Sequence, residues 1–161
     1  ATDLQKNFLL ELLTPKHLLL GNIFGNSTNF FTAIALTDVV ICKLQSDIFH
    51  DLLEANGKFS CDLLKYSNIQ SAARFHRLHS ITLKQSRGKV ADVLLYLTKL
   101  DHQEPVFRHL SRQDLADMAN ISMENAIRTL KEFTVEGLIS IDRKDIHILH
   151  ADGLRRVSQI G

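Results

Sequence analysis

Glu124 and Arg128 stand four residues apart, so on a helix they share one face, a turn from each other. A carboxylate accepts hydrogen bonds, while a guanidinium donates two at once in a planar fork. Met123, Asn125 and Lys131 fall on the same outward side. Such a set suits recognition of another molecule's hydrogen-bonding edge better than bond making. Bond-making chemistry has thinner support elsewhere in the chain. His76 and His79 stand at i, i+3 on a helical stretch, and His147 and His150 on or after a strand-like one. Two histidines on one face can hold zinc, but no clear third ligand or general base accompanies either pair. No Gly-rich phosphate loop, nucleophile elbow or carboxylate dyad occurs. A zinc-dependent enzyme is the weakest reading kept open.

The stretch that must position Glu124 and Arg128 is LSRQDLADMANISMENAIR, residues 110–128. Ser111 is placed to cap a first helix, whose apolar face is Leu115, Met118 and Ala119 at helical spacing. Ala116 is small where a second helix must cross. Asn120 tolerates the left-handed conformation that ends a helix, and Ile121 is the apolar pivot of the bend. Ser122 then caps a second helix with Ala126, Ile127 and Leu130 as its inner stripe. This is a helix-turn-helix pattern, a motif whose second helix fits the DNA major groove. Phe133 and Val135 finish that helix and Gly137 is suited to stop it. Residues 138–141 and 146–149 then read as strands around the turn Asp142-Arg143-Lys144-Asp145. A hairpin there is a wing, with Arg143 and Lys144 at its tip where a phosphate could be met.

The 161 residues hold one ordinary domain or two small ones, and 45% apolar content suffices for a packed core. The longest apolar runs are too short to span a bilayer and no signal peptide opens the chain, so a soluble cytoplasmic protein without membrane contact is expected. Cys42 and Cys61 lack metal-type spacing and make a poor disulfide framework. Net charge is only +1, yet residues 63–91 carry Lys65, Arg74, Arg77, Lys84, Arg87 and Lys89 with no acid among them. That run could face DNA or an anionic ligand, or form a solvated helix face.

Upstream, residues 8–13, 30–36 and above all 39–44 are β-prone, with turn chemistry at Pro15 and at Gly21 to Gly25. Ser46 is placed to cap a helix running to about Ala55, with Asn56 and Gly57 closing it. A long helix from about Lys58 to Ser80 has apolar positions over more of its circumference than one small sheet could bury, which suits burial against its own domain and a twin helix in a second copy, or a core helix of a monomer. Lys84 to Leu100 forms a further helix with Val90, Val93, Leu94, Leu95 and Leu97 inward, and Gly88 suits a close approach. Phe107 opens a short strand before Ser111, and residues 151–160 form a last helix packing Leu154 and Val157.

The run LSRQDLADMANISMENAIRTLKEFTVEGLI resembles the signature of the bacterial regulators named after the cAMP receptor protein and FNR, the CRP/FNR family, almost throughout. FFTAIALTDVVICKLQSDIFHDLL is similar, more loosely, to the end of that family's β-roll. The resemblance implies an α+β fold: a partial β-roll sensor domain of the cyclic-nucleotide-binding-like, jelly-roll type over residues 1–57, a dimerisation helix over 58–83 and a winged helix-turn-helix over 84–161. It further implies a homodimer joined through residues 58–80, double-stranded DNA as partner, contact with RNA polymerase, and an unknown small-molecule effector. The chain is expected to open partway into the sensor domain.

Departures from the family pattern bear on the effector. Where the cyclic-nucleotide branch has glycine followed by glutamate, Gly21 is followed by Asn22, and its Arg-Ser/Thr-Ala triplet becomes Phe31-Thr32-Ala33. A buried phosphate needs a cation or several donors, and Phe31 offers neither, so the usual cAMP mode is disfavoured and no cofactor is evident. Asn22, Phe31 and Thr32 remain the effector-pocket candidates. Cys42 lies near one cluster-ligating cysteine of the FNR branch, but two cysteines cannot supply four thiolates. A haem- or redox-responsive sensor of the same fold, with His17 or Cys42 as ligand, is the alternative. At the DNA, the resemblance implies that Glu124 accepts from a cytosine amino group and Arg128 donates to guanine. Met123 replaces the usual guanine-reading arginine and offers apolar contact, such as to a thymine methyl. Arg112, Gln113, Ser122 and Arg143 would hold phosphates, with Lys131 and Lys144 adding sequence-independent attraction.

Overall fold

Asn56, Ser111, Asn120, Ser122 and Gly137 set helix ends in this chain, and those ends fix where the next element can pack. The computed structural model describes residues 8–15, 17–20, 31–101 and 106–161. The elements run α1 (Ser46–Ala55), α2 (Gly57–Leu83), α3 (Ser86–Asp101), α4 (Val106–His109), α5 (Arg112–Ala119), α6 (Met123–Val135), β1 (Ile139–Asp142), β2 (Asp145–Ile148) and α7 (Ala151–Ile160). They fall into two compact units, one of residues 15–76 and one of residues 1–14 with 77–161. Among the described residues no helix is long and apolar enough to cross a membrane.

In the first unit, α1 meets the start of α2 through Phe49 and Phe59, whose rings pack edge to face with centroids 5.9 Å apart. Asn56 joins the two helices: its N–H donates to the Leu52 carbonyl, ending α1, and its Oδ1 accepts from the Phe59 N–H at 3.0 Å, opening α2. Two expectations are corrected here. Ser46 is the first helical residue, not the cap; Gln45 holds that position without a side-chain bond. Gly57 opens α2 instead of closing α1, because Asn56 serves both ends.

The β-roll expected over residues 1–57 is not seen among the described residues. No strand is formed there, and the segment 39–44 stands open, with Val40 99% exposed. β-branched composition favours a pleated, half-buried surface only where a neighbouring strand takes up the backbone N–H and C=O groups. No such neighbour flanks these runs among the described residues. Asn22 and the whole Gly21 to Gly25 turn region lie outside those residues.

In the second unit the core is built on α3. Val90, Ala91, Leu94 and Leu97 are buried against Leu115, Met118, Leu130, Phe133, Ile139 and Leu154. Gly88 is what lets α7 approach: a Cβ built there would stand 2.8 Å from the Gly161 carbonyl oxygen. The expected strand at Phe107 is instead the one-turn helix α4, which drops the Phe107 ring into the core. The sheet has two antiparallel strands, with Ile139 opposite Ile148 and Asp142 opposite Asp145.

Two polar assemblies complete this unit. The Asp92 carboxylate accepts from the hydroxyls of Ser80 and Ser158 and from the Lys84 ammonium at 2.6 Å, which joins the last turn of α2 to α3 and α7. Arg77 donates to the carbonyls of Leu9 and, at 3.2 Å, Met118, with its guanidinium 5.5 Å from the Phe8 ring centroid and 5.9 Å from that of Tyr96. Burial pulls the Arg77 pKa below its ordinary value, against the opposing influence of Tyr96 and Glu11.

Candidate nucleic-acid interface

Ser111 and Asp114 form a reciprocal capping box that starts α5. The Ser111 hydroxyl accepts from the Asp114 N–H at 3.1 Å, and the Asp114 carboxylate accepts from the Ser111 N–H at 2.7 Å. Asn120 ends the helix at φ 51°, ψ 47°. The N–H groups of Asn120 and Ile121 return to the carbonyls of Asp117 and Ala116, and Ile121 is buried in the bend. Ser122 starts α6 by accepting from the Asn125 N–H at 3.3 Å. At the far end Gly137 takes φ +70°, and the Leu138 N–H closes on the Phe133 carbonyl at 2.9 Å. The orientation of α6 is thereby fixed at both ends by hydrogen bonds that its sequence supplies.

Its inner face is Ala126, Thr129, Leu130 and Phe133, all buried. Thr129 takes the inner position expected for Ile127, which is only half-buried. On the outer face Met123 is 44% exposed and the Arg128 side chain 68% exposed, with Glu124 and Lys131 also exposed and Asn125 half-buried. Arg128 donates to Asn125 Oδ1 at 2.9 Å.

Arg112 and Gln113, at the start of α5, already have partners within the chain. Gln113 donates to Asp117 at 2.6 Å, and Arg112 donates to the Arg143 carbonyl at 3.3 Å. Partial burial lowers the Arg112 pKa. The contact pins the hairpin tip to α5, while Arg108 grips Asp145 with Nε 2.8 and 3.1 Å from its two oxygens. Arg143 sits at φ 53°, a left-handed conformation costly for a non-glycine residue, and Lys144 beside it is exposed. The hairpin therefore follows α6 with its tip anchored twice.

The basic run 63–91 does not present one continuous charged face. Arg77, Lys84 and Arg87 turn onto partners in their own chain, Arg87 pairing with Glu132 at 2.7 Å and Glu136 at 2.8 Å. Reading the run as a unit hides these inward partnerships; the acids concerned lie up to 49 positions away. Phe31 and Thr32 are exposed in irregular backbone. Cys42 and Cys61 are both exposed free thiols. Among the described residues no group of three or more His, Cys, Asp or Glu is arranged to hold a metal ion.

Two capped helices crossing at a left-handed asparagine, followed by an antiparallel hairpin, define a helix-turn-helix domain. Residues 88–157 match the model of the Crp-like helix-turn-helix domain. Three solved structures share this chain's fold. FixK2 from Bradyrhizobium japonicum aligns with TM-score 0.60 at 14% identity over 71% of this chain and 59% of its own. TTHA1359, a CRP/FNR-family transcriptional regulator from Thermus thermophilus, gives 0.53 at 18% identity over 65% and 56%. A Crp/Fnr-family chain from Eubacterium rectale gives 0.51 at 22% identity over 71% and 52%. The chain thus matches between about half and three fifths of the length of these structures. A search of curated proteins finds no match.

Proposed function

We propose that this protein regulates transcription as a homodimer that lays α6 of each copy into the major groove of a palindromic operator. The observation that carries the reading is the outer face of α6, where Met123, Glu124 and Arg128 stand exposed on a helix capped at Ser122. Glu124 and Arg128 read a cytosine and a guanine, and Met123 offers its thioether stem to an apolar group such as a thymine methyl. Ser122, Asn125 and Lys131 flank them on the same helix. Arg112, Gln113, Arg143 and Lys144, around the start of α5 and the hairpin tip, meet phosphates and set the register.

Pairing of two copies through α2 is supported by its uncovered apolar side chains: Leu64 is 65% and Phe75 71% exposed, with Ile69, Leu78 and Leu83 also open. In the proposed organisation residues 1–57 belong to the sensor part, 58–83 to the dimer helix and 84–161 to the DNA-binding part. RNA polymerase and a small effector are further proposed partners in the cytoplasm. Selection of bound duplexes from a random pool tests the proposal. A two-fold symmetric consensus with half-sites one helical turn apart, or a multiple of it, is the expected result. A pool that stays random at low salt would refute it.

A further inference from the structure

Arg87, in the first turn of α3, makes contacts that converge on the recognition helix. Its Nη1 donates to Glu132 Oε2 at 2.7 Å, and its Nη2 to the two oxygens of Glu136 at 2.8 and 2.9 Å. The guanidinium carbon lies 5.2 Å from the centroid of the Phe133 ring, which falls in sequence between Glu132 on α6 and Glu136 at its C-cap. The other oxygen of Glu132 stands 3.9 Å from Arg128 Nε. Glu132 therefore lies between two guanidiniums, close to Arg87 and loosely approached by Arg128.

This geometry has a chemical consequence for Arg128. Arg128 and Glu132 are four apart on one helix, the spacing at which opposite charges pair when nothing else holds them. A Glu132 released to rotate would close on Arg128 and occupy the donors that a guanine edge needs. Asn125 does not do the same: it takes one Nη2 proton at 2.9 Å and leaves the rest of the fork open. Arg87 also offsets the charge of two carboxylates that would otherwise repel a phosphate backbone from the second half of α6.

We propose that Arg87 is a positioning residue of the DNA-reading surface: by holding Glu132 and Glu136 it keeps the Arg128 fork available for a base. The proposal rests on the reading that α6 recognises DNA. Its test compares a selected operator duplex with the same duplex altered at the base pair where Arg128→Ala loses discrimination. Arg87→Met keeps an unbranched stem over Phe133 and removes the fork. It should lose roughly three- to fivefold of the preference for the selected duplex, the scale of a partly exposed ion pair. Arg87→Met with Glu132→Gln should return to within about twofold of the native preference, and Glu132→Gln alone should change it by less than about twofold.

Arg87→Lys keeps the charge without the fork, and an intermediate loss is expected. It decides the matter if thermal unfolding shows that Arg87→Met does not fold. Full preference in the arginine variant that folds would overturn the proposal. So would a loss that Glu132→Gln fails to recover, since that marks a merely structural contact. A native chain without any sequence preference would overturn the functional reading and this inference together.

Discussion

Replacing Asp92 should detach the end of α2 from the helix-turn-helix core. Its carboxylate is the common acceptor for Ser80, Ser158 and Lys84, and Lys84 also donates to Ser158 at 2.9 Å. The side chains of Lys84 and Asp92 are 20% and 26% exposed, between a surface pair and a buried one. In Asp92→Ala the ammonium and two almost buried hydroxyls lose their shared acceptor. A hydrogen bond to a charged group contributes about 1.5–3 kcal/mol, and partial exposure reduces each share, so a total of about 2–3 kcal/mol is expected. For a chain of this size that lowers the thermal midpoint by roughly 4–12 °C. Asp92→Asn, which keeps an acceptor of the same shape, should lose about half as much. Combining Asp92→Ala with Lys84→Met should give less than the sum of the two, since both remove one contact. An Asp92→Ala midpoint within about 2 °C of the native one, or strict additivity, would refute the reasoning.

Three other outcomes follow from named contacts. Ser111→Ala breaks the capping box of α5 and should cost about 1 kcal/mol in urea unfolding; no measurable change would contradict the cap. Burial raises the Tyr96 pKa above its ordinary value, opposed by its hydrogen bond to Leu12 and by the charge of Arg77, with Glu11 adding to the rise. The unfolded phenol ionises first, near about pH 10, so stability held below that value is lost as pH climbs toward the folded pKa. Tyr96→Phe should therefore show a smaller fall in thermal midpoint above about pH 10 than the native chain, and an identical fall would count against it. Lys131→Ala and Lys144→Ala should each weaken matched and unmatched duplexes alike and flatten the salt dependence by about one unit of slope. A loss confined to the matched duplex would assign them base contacts instead.

The helix-turn-helix was legible because its signals are local. Ser111, Asn120, Ser122 and Gly137 each act on backbone groups a few residues away, and each takes the role that its side chain, or in Gly137 its absence, permits. The same held for Val90, Leu94 and Leu97, whose spacing alone identifies the inner face of α3. What escaped was non-local. Strand-like composition at 39–44 says nothing of where a partner strand stands, and Phe107 carries no mark that distinguishes a short strand from a helical turn. Arg77 and Arg87 looked like members of a basic face because the carbonyls and carboxylates that claim them lie 41 to 68 residues away. The outer face of α6 was predictable from periodicity, but the Glu132 link between Arg87 and Arg128 needed the fold.

The central claim is that α6 recognises bases through Arg128, and a salt titration of native chain and Arg128→Ala on a selected operator and on unrelated duplex tests it most directly. The account predicts a loss of about 1–3 kcal/mol on the operator, near-native affinity for unrelated duplex, and a salt slope on the latter that barely moves. Equal losses on both duplexes would contradict base recognition by Arg128.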